Sequence, residues 1–158
     1  MFREITRKKQ ALDTAQITEI LKREKRGVLS VHGDDGYPYG VPINFWYNEK
    51  NGYLYFHSGK SGHKADAVAA NNKVSFCVYD EGYRNDGEWA LNIRSVIVFG
   101  TLHIVEDPVQ TDEVYRCLSR KFTDDEEYIK KELAESAKNT LLLKLTPEHI
   151  CGKLVNEA

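Results

Sequence analysis

The segment Tyr55-Phe-His-Ser-Gly-Lys-Ser-Gly-His-Lys-Ala-Asp66 concentrates the residue types able to do chemistry in this chain. His57, Lys60, His63 and Lys64 offer cationic or imidazole donors, Ser58 and Ser61 offer hydroxyls, and Gly59 and Gly62 let backbone approach a ligand closely. An apolar strand pattern, Tyr53 to Phe56, leads into the segment, and a short helical pattern, Lys64 to Ala70, leads out of it. A strand, a polar turn and a helix start together form an anion site. The first amides of a helix have no internal partner, and the helix dipole favours negative charge there. A phosphate is the natural occupant. The competing structural role is a solvated turn in which Ser61 caps the helix. The spacing is neither that of a Walker loop nor that of a Gly-x-Gly-x-x-Gly fingerprint.

Several function classes are disfavoured by composition. The chain has 158 residues, enough for one domain (1–158) with a sizeable core. A formal net charge of −2 provides no basic field for nucleic acid. The charged start, Met1 to Lys9, lacks the apolar run of a signal peptide, and no stretch reaches the length of a membrane span. Cys77, Cys117 and Cys151 are scattered and odd in number, which fits reduced thiols and a cytoplasmic setting. The histidines show no metal-ligand spacing, so no metal site is expected.

The elements that must position the segment read as follows. Asp13 with Gln16 forms a capping box before a helix with an apolar face of Leu12, Ile17, Ile20 and Leu21, ended by Gly27. Strands are expected over 28–31, 39–47, 53–57, 73–79, 94–105 and 140–146, with the fifth kinked at Gly100. Turns Gly33–Gly36 and Asn48–Gly52 suit hairpins. Pro42, unable to donate to a ladder, marks an edge, a bulge or a functional break. Asp107-Pro108 and Gln110 open a second long helix with Val114, Tyr115, Leu118 and Phe122 on one face, and Thr123 with Glu126 opens a third, to about Lys138. Hairpin connections favour a mainly β fold with peripheral helices: a six-stranded antiparallel barrel, closed to protect its edges.

Four stretches occur in a recognisable order: Gly36-Tyr-Pro-Tyr-Gly-Val-Pro-Ile-Asn44, Leu54-Tyr-Phe-His-Ser58, Gly62-His-Lys64, and Ser95-Val-Ile-Val-Phe-Gly-Thr101. In this the chain resembles the FMN-binding split-barrel superfamily of pyridoxamine-phosphate oxidase, and within it the nitroimidazole-resistance (Nim-like) branch. The resemblance spans about Arg3 to Lys153. It implies FMN bound at a homodimer interface. By position, His57, Ser58, His63 and Lys64 would hold the ribityl phosphate, with His63 standing where many relatives carry Arg. That departure removes a bidentate donor. Val41, Pro42, Ile43 and Asn44 would lie along the isoalloxazine edge, Ser95 would approach from the second subunit, and Trp89 would cover flavin or substrate.

The implied activity is that of a flavin reductase-like oxidoreductase, with a nicotinamide (NADH or NADPH) as donor and a small substrate such as a nitroaromatic as acceptor. His57 is the candidate proton donor, since an imidazole titrates near neutrality. The alternatives are a pyridoxamine-phosphate oxidase proper, a non-catalytic protein that binds flavin, haem or the deazaflavin F420, and a split-barrel dimer without cofactor. The chain's tail is short and lacks the Arg pair expected of a second phosphate site, which ranks the first alternative lower.

Overall fold

The computed structural model describes residues 1–136 and 139–157. Helix α1 (Thr14–Arg23) precedes β1 (Arg26–His32), β2 (Pro38–Asn44), β3 (Trp46–Asn48) and β4 (Tyr53–Gly59). Helix α2 (His63–Ala70), β5 (Lys73–Tyr79) and β6 (Leu91–Val105) follow. Helices α3 (Pro108–Ser119) and α4 (Glu126–Ser136) then lead into β7 (Thr140–Glu157). The expected end of the third long helix, Lys138, lies outside the described residues.

The sheet has seven strands in the order β2-β1-β5-β6-β7-β4-β3, with every pairing antiparallel. The six-strand expectation becomes seven because the 39–47 strand is cut at Phe45. Its first half, β2, pairs with β1 at one edge of the sheet, and its second half, β3, pairs with β4 at the other. One continuous stretch of chain thus supplies both edges, which curls the sheet into a split barrel. Phe45 at the break is fully buried and packs edge-on against Phe76 at 4.9 Å. Pro42 sits on the edge strand, opposite Val28 of β1, where its missing N–H leaves the pairing intact.

The last strand runs well past Thr146. A bulge at Phe99/Gly100 shifts the β6–β7 register, so that Gly100 pairs with Pro147 and the ladder continues to Glu157. Gly100 is required there, since a Cβ would meet the Thr146 carbonyl oxygen at 2.1 Å. Helix α1 ends at Arg23, short of Gly27, because Glu24 is already extended.

Inside the barrel, Leu29, Phe56, Phe76, Val96, Val98 and Leu145 form the main core, closed at one end by Ile20 and Leu21 of α1. Strand β4 is buried on both faces at its centre. Leu54 and Phe56 face the barrel interior, while Tyr55 packs outward with Val114 and Tyr115 of α3 and Leu142 of β7. Burial of each such side chain stabilises by about 1.5–3 kcal/mol. This second core seats the α3–α4 hairpin on the outside of β4.

Candidate functional site

The pleat decides how the segment from Tyr55 onward is used. Successive strand residues face opposite sides. Ser58 therefore follows Leu54 and Phe56 toward the barrel side, and His57 follows Tyr55 toward the helical hairpin. Ser58 is only 7% exposed, and its hydroxyl donates to the Gly59 carbonyl at 3.1 Å. It lines a cavity of about 240 Å³ with Lys64 and Val68 of α2, Asn72, and Leu102 and His103 of β6. Partial burial holds the Lys64 ammonium below its ordinary pKa.

Helix α2 differs from its neighbours at its start. Asp13 caps α1 by accepting from the Gln16 amide at 2.8 Å, and Gln16 Oε1 in turn accepts from the Asp13 amide at 3.0 Å. Asp107 caps α3 through the Val109 and Gln110 amides. For α4 the capping side chain is Asp125, which accepts from the Tyr128 amide, in place of the Thr123 expected from sequence. The N-cap of α2 is Gly62, not Ser61; its φ is +115°, and no side chain caps the helix. The first amides of α2 thus remain open beside Lys64 and Ser58, an arrangement that fits a phosphate.

His63 is held elsewhere. Its ring stacks on Tyr39 at 4.2 Å, and its Nε2 lies 3.4 Å from Asp34 Oδ2 in the β1–β2 turn. Recruiting it to an anion requires competition with that carboxylate.

On the other face of β4, His57 lies 6.2 Å from the Tyr115 ring, centroid to centroid. With Asn44 it lines a cavity of about 250 Å³ beneath the α3–α4 hairpin, walled also by Tyr115, Phe122 and Tyr128. Asn44 Oδ1 accepts from Arg26 Nε at 2.8 Å. Partial burial lowers the His57 pKa, and the Lys64 ammonium lowers it further, so neutral imidazole prevails at neutral pH. Burial raises the Tyr115 phenol, with a Thr140 hydrogen bond opposing. Sequence reasoning took Tyr115 and Phe122 only as one face of a helix. Their packing onto β4 is a tertiary fact without a local sequence signal, and the same holds for Tyr128.

The remaining predicted residues lie apart from both cavities. Val41 and Ile43 turn toward the main core, while Pro42 lines an outer groove of about 890 Å³ with Arg26, Tyr79 and Arg94. Arg94 is committed to structure there: its Nε donates to Asp80 Oδ2 at 2.8 Å and its Nη1 to Glu19 at 3.1 Å, tying α1 to β6. Burial works to raise the Asp80 carboxyl, but the Arg94 donors override it and its pKa is lowered. Ser95 pairs with Tyr79 and Lys153 on the outward side of the sheet. Trp89 is 75% exposed, so within one chain it covers nothing. Among the described residues, no group of three or more His, Cys, Asp or Glu side chains is arranged to hold a metal, and no helix is long and apolar enough to cross a membrane.

Comparison with known proteins decides the family. The model of the pyridoxamine 5'-phosphate oxidase family matches residues 13–154. The chain belongs to that family. No match emerges among curated protein sequences. Among solved structures, the fold is similar to that of a Bacteroides thetaiotaomicron protein assigned to 5-nitroimidazole antibiotic resistance, at 21% identity and TM-score 0.76, covering 92% of this chain and 87% of that one. A conserved hypothetical protein of Mycobacterium tuberculosis superposes with TM-score 0.80 at 17% identity, over 95% of this chain and 90% of that one. A FAD-binding protein of Mesorhizobium loti gives TM-score 0.67 at 21% identity, over 92% and 97% respectively. At these identities the likeness establishes the fold. This member of the pyridoxamine 5'-phosphate oxidase family thus shares its split barrel with flavin-binding proteins.

Proposed function

We propose that the chain is an FMN-dependent oxidoreductase of the flavin reductase type, acting as a homodimer. The observation that carries this reading is the uncapped start of α2 beside Lys64 and the buried Ser58. The uncapped helix start, an ammonium and a hydroxyl suit the terminal phosphate of FMN, whose flavin when bound supplies hydride and electron transfer. Lys64 and the α2 amides bind the phosphate, and Ser58 contributes its hydroxyl by turning the proton away from the Gly59 carbonyl.

The edge strand Gly40–Asn44 leaves one side without a protein partner, so its backbone groups orient the flavin ring. His57, held neutral, works as a hydrogen-bond partner more than as a store of protons.

The second subunit is argued from the outer face of the sheet. Pro42, Val28, Cys77, Ile97 and Cys151 form one row across five strands. Val28, Cys77, Ile97 and Cys151 are only half-buried in the single chain, and Tyr79 beside them is 60% exposed. An apolar sheet face of that kind is suited to a second copy. Ser95 shares this face, so pairing through it lets Ser95 of each subunit approach the other subunit's site, and Trp89 gains something to cover. The donor is a nicotinamide, and small nitroaromatic compounds are the acceptors.

The test is anaerobic. Protein loaded with FMN is mixed with NADH or NADPH while the visible spectrum is recorded. Bleaching of the flavin bands, followed by recovery when a nitroaromatic acceptor is added, is the expected result. Flavin bands that persist with either donor would remove the reductase assignment.

A further inference from the structure

A depression on the outer face of the sheet has a low floor and aromatic walls. One row of residues crosses five strands there: Gly40, Ser30, Ser75, Phe99 and His149. Glycine and two serines keep the first three strands low, and Phe99 rises beside them. Phe2 packs on that wall, 5.5 Å from the Phe99 ring and stacked on His149 at 4.9 Å. Tyr37 and Pro38, where the β1–β2 turn enters β2, stand on the opposite side. The β1–β5 ladder stops at Ser30–Ser75, although β1 runs on to His32 and β5 starts at Lys73, so the two strands part there. The cavity so formed is about 530 Å³, inside the range of about 300–1,000 Å³ typical of small-ligand sites.

Its charges come in both signs, placed apart. Lys73 lies on the same face of β5 as Ser75, two residues away, so an ammonium and the two serine hydroxyls share one side. Glu148 of β7 lines the other side, next to the bulge at Phe99/Gly100. Strand β6 runs between the strands that carry the two charges. Among the described residues, neither Lys73 nor Glu148 takes part in an ion pair. An ammonium beside two hydroxyls suits a carboxylate, which only accepts hydrogen bonds. The Glu148 carboxylate opposite suits an ammonium. Phe2 and Phe99 on one wall and Tyr37 on the other suit a flat ring, packed offset or edge-on.

We infer that this depression is a ligand site of its own, and that it takes an aromatic amino acid. The carboxylate meets Lys73 and the hydroxyls of Ser30 and Ser75, the ammonium meets Glu148, and the ring lies between Phe99 and Tyr37. A ring compound with only one of the two charges satisfies only one side. The site is separate from the start of α2 and needs no flavin. It borders the row proposed for subunit pairing without sharing a residue with it.

The experiment is a calorimetric titration of the purified protein with L-tryptophan, with tryptamine, which lacks the carboxylate, and with indole-3-propionate, which lacks the ammonium. Tryptophan binds at one site per chain and at least about threefold more tightly than either analogue, a modest factor because both protein charges are exposed to solvent. Lys73→Met lowers tryptophan to the level of tryptamine and leaves tryptamine unchanged. Glu148→Gln lowers it to the level of indole-3-propionate and leaves that compound unchanged. Ser75→Phe raises the floor and abolishes binding of all three, with circular dichroism confirming that the variant is folded. Lys73→Met and Glu148→Gln alter exposed side chains only, so the test stands whether or not Ser75→Phe folds. Equal affinity for the three compounds, no binding of any, or undiminished binding in folded Ser75→Phe would each overturn the inference. Loss of tryptophan binding in Lys64→Ala would overturn it too, because the ligand would then sit at α2.

Discussion

His57 and Ser58 are neighbours in sequence and belong to different environments. On the Ser58 side are an ammonium, a buried hydroxyl and an uncapped helix start. On the His57 side are aromatic rings, amide and hydroxyl groups and one carboxylate, under a helical hairpin. The strand's period of two separates them, and under the proposed function the anion belongs to the Ser58 face. A motif read along the chain as a single polar segment is, in space, split between two cavities on opposite faces of β4. Coupling between them survives through the strand, since Lys64 still disfavours protonation of His57.

Substitutions that touch one face and spare the other test this division. The largest effect is expected from Lys64→Ala. Loss of a charge-assisted contact worth about 1.5–3 kcal/mol weakens FMN binding by about 10- to 150-fold, read by calorimetry, while the packing of His57 against Tyr115 is unchanged by NMR. Perturbation of both faces together would show a single site.

Next comes Lys121, which fastens the hairpin side to the barrel over Phe45. Burial lowers its pKa to about 8, below the value it regains when the chain unfolds. Between those two values the unfolded chain binds more protons than the folded one, so the free energy of unfolding rises with pH through that window. The penalty relieved is about 1–2 kcal/mol after allowance for solvent screening. Chemical denaturation at pH 7.5 and about 9.5 reads the rise as a difference between the native chain and Lys121→Met, in which this contribution is absent. Identical pH dependence in the two would refute the burial.

A smaller effect is expected from Asp107→Ala, which removes the α3 cap and costs about 1 kcal/mol of stability by thermal or chemical unfolding. FMN affinity should not change, because the cap serves the hairpin side only.

Smallest is the His57 titration followed by NMR. Its pKa lies below the ordinary imidazole value, and Lys64→Met moves it only part of the way back, because burial is the larger cause. A full return would make Lys64 the dominant influence. The sign for stability follows: a lowered histidine pKa costs stability as pH falls through the ordinary imidazole range toward the folded value.

Much of this was legible along the chain. The Asp13–Gln16 box, the Asp107 cap, the kink at Gly100 and the edge placement of Pro42 all have local causes, and each stands where its residues point. What escaped had non-local causes. Phe45 divides a strand because its two halves find partners at opposite edges, and nothing near Phe45 announces that. The last strand, expected over 140–146, runs on to Glu157 because a bulge opposite Pro147 absorbs the break in register. His63, grouped with the anion residues by proximity in sequence, stacks on Tyr39 and faces Asp34. The opposite facing of His57 and Ser58 was available from strand periodicity alone. The rings opposite His57 come from the α3–α4 hairpin, whose docking depends on the second core around Tyr55.

The most direct measurement is a pair of calorimetric titrations, FMN against riboflavin, into the same purified protein. Riboflavin carries the same ring system without the phosphate. If the start of α2 holds the phosphate, FMN binds at one site per chain and at least about tenfold more tightly than riboflavin, and the preference disappears in Lys64→Ala. Equal affinity for the two, or no uptake of either, would contradict the assignment of this site.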